Sequence, residues 1–411
     1  MRRTAFLLFA PIALAAQQPT ADSPALARAL AQLKTDNAWT LQKQVALCEI
    51  PAPPFKEQAR GLAFQKEMLA LGYADAHVDQ VGNVVAELAG VSKGPTVVIA
   101  GHLDTVFPEG TNVAVTRDGT RYKGAGIGDD CRGLAVVLST ARAVKQSGLR
   151  FAGRVIFVAN VGEEGPGNLR GTRHLLGTTH KGQVDYFISV DGAGNDIVSR
   201  AVGSNRYNVH FRSPGGHSYG AFGMPNPIHA MGRAIATISD IKVPRSPKTT
   251  FNVGIVSGGT SVNSIAMEAV MDVDMRSESA EELAKVDVLV RKAIDDAVAA
   301  ELARWPGSTK GLTVRLDTIG IRPTGAQSDS ALIVRTAVAA ARQLGLKPSI
   351  GASSTDSNYP ISLGIPAITI DGGGDGNGAH SHDEWYDDGA AGYLGPQWAL
   401  RIIAALAGTA P

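Results

Sequence analysis

Cysteine is nearly absent. Cys48 and Cys131 are the only two in 411 residues, too few for a disulfide scaffold in a chain this long. Neither sign of charge dominates: 39 Lys and Arg stand against 38 Asp and Glu, which leaves no global pull toward nucleic acid or an anionic membrane. No internal repeat and no low-complexity tract interrupts the chain. Beyond the N-terminus, no apolar run approaches the ~20 residues that span a bilayer. What is present is ordinary for packed protein, 44% hydrophobic and 19% charged residues, and at ~150 residues per domain the length allows two to three domains.

The N-terminus reads as an address. Arg2 and Arg3 precede the apolar run from Phe6 to Ala16, and small residues (Ala13, Ala15, Ala16) lead into polar Gln17-Gln18-Pro19-Thr20. That order fits a signal peptide over residues 1–17, so the expectation is an exported protein, periplasmic or secreted, with no membrane attachment after cleavage.

Helical spacing of Leu26, Leu30 and Leu33, and of Leu62, Phe64, Met68 and Leu71, predicts helices between about Pro24 and Leu71. Short apolar runs then predict buried strands at 96–100, 154–161, 186–190 and 367–370, separated by helices at 134–145, 172–176 and 331–344. Apolar strands alternating with helices predict an α/β fold with a mostly parallel sheet. The middle of the chain differs. Met271, Val273 and Met275 alternate with Asp272, Asp274 and Arg276, as in a sheet with one solvated face. Strands at 207–211, 251–256, 269–276 and 312–316, with helices at 227–238 and 281–302, follow the order of a split β-α-β sandwich. The expected organisation is a catalytic domain in two parts, 18–204 and 320–411. Between them is an inserted α+β (ferredoxin-like) domain, 205–319, that serves as lid and dimerisation surface, with hinges near 201–203 and 320–325.

Each α/β strand runs into groups that bind metals: His102 and Asp104, Glu163 and Glu164, Asp191, and, after a glycine-rich loop, His380. Asp129-Asp130 precedes another helix. In open α/β sheets ligands gather at the carboxyl ends of strands, and five segments delivering His or carboxylate to one edge are poorly explained as surface charge. The charges suit two divalent cations. Asp129, Glu164, Asp191 and a bridging hydroxide balance them, with His102 and His380 supplying one imidazole each and Asp129 as the bridging carboxylate. A nitrogen-and-oxygen set of this kind suits zinc, or else cobalt or manganese. Asp104, two residues from His102, can accept the other imidazole N–H. Glu163 and Glu164 point opposite ways in an extended segment, so one ligates and the other moves the proton in hydrolysis of an amide.

With those residues in place the chain resembles the di-zinc metallopeptidase family that includes aminoacylase, carboxypeptidase G, peptidase T and succinyl-diaminopimelate desuccinylase. The resemblance rests on His102-Leu103-Asp104, Asp129-Asp130, Gly162-Glu163-Glu164-Gly165, Asp191 and His380-Ser381-His382-Asp383-Glu384, and runs from about Val97 to Tyr386. It implies metal ligands His102, Asp129, Glu164, Asp191 and His380, with Glu163 as general base and Asp104 orienting His102; His382 is not the family's ligand position. In the inserted domain, Ser213-Pro214-Gly215-Gly216-His217-Ser218 resembles the turn whose His holds the oxyanion, in some dimers across the subunit boundary. Asn263 and Arg276 resemble the pair that faces the substrate carboxylate, for which Arg offers a fixed fork. The implied substrate is a peptide or N-acyl amino acid. Cys131-Arg132 stands where relatives often carry lysine and glycine.

Two other readings are weighed. Gly216-His217-Ser218-Tyr219-Gly220 matches a nucleophile elbow, and with Asp356 and His380 it would suit a serine hydrolase, but Gly223, Pro225 and Pro227 delay the helix such an elbow needs. A catalytically silent metal-binding homologue would have no need of Glu163.

Overall fold

The computed structural model describes residues 22–309 and 311–411; the expected signal segment 1–17 lies outside the described residues. In chain order, the strands that position the site are β1 (Val84–Leu88), β2 (Val97–His102), β3 (Val155–Asn160), β4 (Tyr186–Val190), β5 (Ile197–Ala201), β6 (Gly203–Arg212), β7 (Thr249–Gly258), β8 (Glu268–Ser277), β9 (Thr313–Arg322), β10 (Ile350–Ser353) and β11 (Ala367–Ile370).

The larger sheet runs β1-β3-β2-β4-β11-β5, with short edge pairings at His77–Val78 and Gly325–Ala326 and with β10 on β5. Its four central strands, β3, β2, β4 and β11, are mutually parallel, while β1 and β5 join them antiparallel. Every residue of β2 and β3 is buried, as expected where helices cover both faces. The helix Cys131–Ser147 lies on one face, and helices Pro24–Thr35 and Leu394–Ala407 close the same core around Trp398. Ser23 caps the first of these, accepting from the Leu26 N–H at 3.2 Å, with Pro24 at the first helical position.

The second sheet is antiparallel in the order β7-β8-β6-β9. This is the ferredoxin-like arrangement expected from the strand and helix order. Tyr207, Val209 and Phe211 of β6 and Met271, Val273 and Met275 of β8 face helices Pro227–Ser239 and Ala280–Ala303 in a separate apolar core. Arg206, Asp274 and Arg276 alternate onto the other face. Strand β9 continues to Arg322, six residues past the last apolar residue that marked it in the sequence, Leu316. Among the described residues, no helix is long and apolar enough to cross a membrane.

Candidate metal centre

The parallel order of β2, β3, β4 and β11 puts four carboxyl ends on one edge. His102 is the last residue of β2, Glu163 and Glu164 follow β3, Asp191 follows β4, and the loop after β11 leads to His380. Asp129 and Asp130, joined by a cis peptide, stand at the head of the helix Cys131–Ser147. The two oxygens of Asp130 lock this corner. One accepts from the Gly133 N–H at 2.9 Å as the helix cap, the other from the His102 N–H at 2.8 Å. A Cβ at Gly133 would sit 2.2 Å from that capping oxygen, so the close approach requires glycine. His380 holds a left-handed backbone, φ 66°, uncommon for a non-glycine residue and typical of a functional loop.

Asp129 joins two clusters. Its Oδ1 lies 3.0 Å from His102 Nε2, which is also 3.9 Å from Asp191 Oδ1. Its Oδ2 lies 3.0 Å from His380 Nε2, which is 3.1 Å from Glu164 Oε1. Each triad gathers one imidazole and two carboxylates with their donor atoms within 4.8 Å of one another. Such a nitrogen-and-oxygen set matches what zinc, cobalt or manganese accept, so the donors fit a pair of divalent cations.

The electrostatics fit the same reading. Burial alone would lower the pKa of His102, but Asp130, Asp104, Asp129 and Asp191 around it push it well up. Hydrogen bonds to Asp129 and Glu164 raise His380 to about 10. Asp129 is held far below the usual carboxylate range: burial opposes ionisation, but His102 and His380 outweigh it. Burial and the nearby Asp129 charge raise Glu164. In the bare site the histidines thus carry positive charge where a cation would place its own.

Glu163 lies beside the triads without joining the bridge. Its carboxylate is buried and its pKa raised well up by burial and by Glu164, against the lowering effect of Arg322. Arg322, the last residue of β9, donates from Nη1 to Glu163 Oε1 at 2.9 Å and from Nη2 to the Glu163 carbonyl. Asp104 acts differently from the expectation drawn from the sequence. The His102 Nδ1 meets the Asp104 carbonyl oxygen at 3.0 Å, while the carboxylate stands 3.6 Å away. That carboxylate instead accepts the N–H groups of Glu163 and Glu164 at 3.0 and 2.7 Å. Asp104 thus aims the imidazole with its main chain and the glutamate pair with its side chain.

A cavity of about 380 Å³ opens onto the triads, and Arg206, Arg276 and Arg322 line it together with Asp129, Glu163, Glu164, Asp191 and His380. Arg276 is held at 2.8 Å by Asp274, which also accepts from Arg206 at 2.8 Å.

A comparison with known families matches residues 98–395 to Peptidase family M20/M25/M40. The chain belongs to this family. Membership makes it a metal-dependent hydrolase of the peptidase, dipeptidase and aminoacylase type. It is 26% identical over 299 residues to the uncharacterized protein YqjE of Bacillus subtilis strain 168, covering 70% of this chain and 76% of YqjE. It is 26% identical over 351 residues to carboxypeptidase G2 of Pseudomonas sp. strain RS-16, covering 75% and 80%. The fold superposes on that of the di-peptidase Dug1p of Saccharomyces cerevisiae with a TM-score of 0.73 at 15% identity, covering 94% and 99% of the two chains.

In this family member the structure brings together His102, Asp104, Asp129, Glu163, Glu164, Asp191, His380 and Arg276. His217 and Asn263 are not among the residues lining that cavity. They sit side by side on an exposed turn, where His217 pairs with Ser264 across a two-residue ladder, its Nδ1 accepts from the Gly220 N–H at 3.3 Å, and the Ser218 N–H donates to the Asn263 carbonyl at 2.9 Å. The serine triad does not form. Asp356 is buried between Asn160 and Thr172, at 2.5 Å from each, and His380 is held by Asp129 and Glu164. His382 packs against Phe107, with ring centroids 5.5 Å apart and planes tilted by 39°. Cys131 is buried beside Cys48, both as free thiols.

Sequence reasoning missed three supporting side chains. Glu384 accepts the N–H groups of Gly126, Gly128 and Asp129 at 2.8, 2.8 and 2.9 Å, and thereby shapes the loop that presents Asp129 to both triads. Its place in His-Ser-His-Asp-Glu was the available signal. Arg322 and Arg206 carried none, because their partners lie far away in the chain.

Proposed function

We propose that the chain hydrolyses an amide bond in a small peptide or N-acyl amino acid that carries a carboxylate beyond the scissile bond. The observation that carries this reading is the double role of Asp129, one oxygen toward each triad, with buried Glu163 beside them. A pair of divalent cations, zinc foremost and cobalt or manganese otherwise, supplies an activated water and an electrophile for the amide oxygen. His102, Asp129 and Asp191 would hold one cation and Asp129, Glu164 and His380 the other. Glu163 takes a proton from the attacking water and returns it to the leaving amine; its raised pKa suits a group that must both accept and release a proton. Arg276 takes the substrate carboxylate as a fork.

His217 and Asn263, on an exposed turn of the inserted domain, serve the cleft of a second copy, which makes the working form a homodimer through that domain. The N-terminal segment exports the chain, and no nucleic acid takes part. The test is a panel of dipeptides and N-acyl amino acids with added zinc, cobalt or manganese. Glu163→Gln should keep its metal and lose turnover; undiminished turnover in that variant sinks the proposed role, and a chelator without effect sinks the metal.

A further inference from the structure

The arginine-lined cavity has a neighbour. A second cavity of about 420 Å³ meets it at Asp129 and Ala379, and its walls include Gly128, Gly192, Ala193, Gly376, Asn377 and Trp385. Its size falls within the ~300–1,000 Å³ of small-molecule sites. An amide held across Asp129 has two halves. If the leaving half points its carboxylate at the arginines, the acyl half has this second cavity to enter.

The lining defines what enters. Small residues keep the space open: a Cβ on Gly376 would come 2.8 Å from the Cβ of Ala193, and one on Gly128 would lie 3.3 Å from Glu384 Oε1. Trp385 supplies the one broad apolar wall and is held in place by the Arg121 guanidinium, 3.9 Å from its ring centroid. None of the lining residues is a lysine or arginine, and the two ionisable ones, Asp129 and Glu384, are acids. A carboxylate placed here would find no lysine or arginine among the lining residues to pair with, whereas an uncharged side chain needs none. The two cavities thus differ in their cations: Arg206, Arg276 and Arg322 line the first, and no lysine or arginine lines the second.

Resting on the proposed amide hydrolysis, we propose that this second cavity is the acyl-side subsite. It selects short peptides with an uncharged, bulky residue before the scissile bond, and it refuses acyl groups that end in a carboxylate.

The test uses the full, metal-loaded chain with three substrates that share one leaving group: Leu-Phe, Gly-Phe and N-succinyl-phenylalanine. Leu-Phe should exceed N-succinyl-phenylalanine in kcat/KM by at least tenfold. Ala193→Leu narrows the cavity and should lower the Leu-Phe to Gly-Phe ratio by about tenfold. Asn377→Lys, at an exposed position that tolerates a long side chain, places a cation in the cavity and should raise the N-succinyl-phenylalanine to Leu-Phe ratio by about tenfold. Preference for the succinyl substrate in the unaltered chain, or ratios unmoved in both variants, overturns the subsite. Failure of the loaded chain to cleave any amide in the wider panel overturns the parent reading instead and takes the subsite with it.

Discussion

Arg322 closes on Glu163 from the far end of the inserted sheet, Nη1 to Oε1 at 2.9 Å, with a second bond to the glutamate's own carbonyl. The contact spans 159 residues of sequence and joins the inserted sheet to the loop that carries the glutamate pair. Arg322 is itself buried, so the pair is a charge-assisted hydrogen bond in a water-poor setting, where removing one partner is costly. Arg322→Ala is expected to lower kcat by about 10²-fold and leave metal content unchanged. Arg322→Lys, which keeps the charge but loses the fork, should fall in between. Steady-state kinetics beside elemental analysis separates this from simple loss of the cations.

Asp129 offers one oxygen to each triad, whereas Asp191 belongs to only one. Substituting them should therefore have unequal effects on stoichiometry. Asp129→Ala is expected to empty both positions, and Asp191→Ala to leave about one cation per chain. Both should lose activity by about 10³-fold or more. Equal metal content in the two variants, measured after gel filtration, would contradict the bridge.

The edge of the sheet was legible because His102, Glu163, Glu164 and Asp191 each close or follow a run of apolar residues, and such runs are the strongest signal a buried strand leaves. The alternation of Met271, Val273 and Met275 with charged neighbours was legible for the same kind of reason. Strands β1 and β5 left no comparable mark, because Glu87 in the one and Ser199 and Arg200 in the other break the apolar run, and their antiparallel pairing depends on partners distant in sequence. The second half of β9 was hidden too. Its register shifts between Thr318 and Gly320, and Ile319 and Ile321 are exposed, so the periodicity that would carry the reader to Arg322 is broken. The role of Asp104 shows the limit at finer scale: spacing placed it beside His102 but could not say which oxygen does the holding.

Asp371, just past β11, is pushed up to about 7 by burial and by the charges of Asp196 and Asp191. Its folded pKa lies above its unfolded value near 4. It therefore contributes fully below about pH 4, and that contribution is lost as pH rises through 7. Asp371→Asn removes the charge and keeps an oxygen for the Asp196 N–H, now accepted at 2.8 Å. The variant should gain roughly 1–2 kcal/mol over the parent at pH 8, allowing for solvent screening, and nothing at pH 4. Urea titrations at the two pH values test the sign.

With His380 as a ligand, as proposed, protons and cations would compete for its imidazole. Without metal, its pKa of about 10 keeps it protonated at neutral pH, through hydrogen bonds to Asp129 and Glu164. A cation must displace that proton, so uptake should release it, and affinity should tighten by about tenfold per pH unit between 7 and 9. In the chelated protein the sign reverses. The stabilisation from protonated His380 is complete below about pH 6.5 and disappears as pH passes 10. Calorimetric metal titration in two buffers of different ionisation enthalpy counts the protons released; a value of zero would contradict the assignment of His380 to the site.

Glu384 touches neither triad through its own carboxylate, yet that group gathers three N–H groups from the loop ending in Asp129. A glutamine there has one accepting oxygen, and its amino group must face a donor. At least one of the three amides then loses its partner inside the protein, at a cost of about 1–3 kcal/mol. The loop relaxes and the bridging carboxylate is no longer held in register. Support of this kind is worth about 10–100-fold in metal affinity. Glu384→Gln should therefore bind both cations more weakly by that factor, unfold at lower urea concentration, and recover much of its kcat when metal is supplied in excess. An unchanged affinity would mean that the loop holds Asp129 without its carboxylate support.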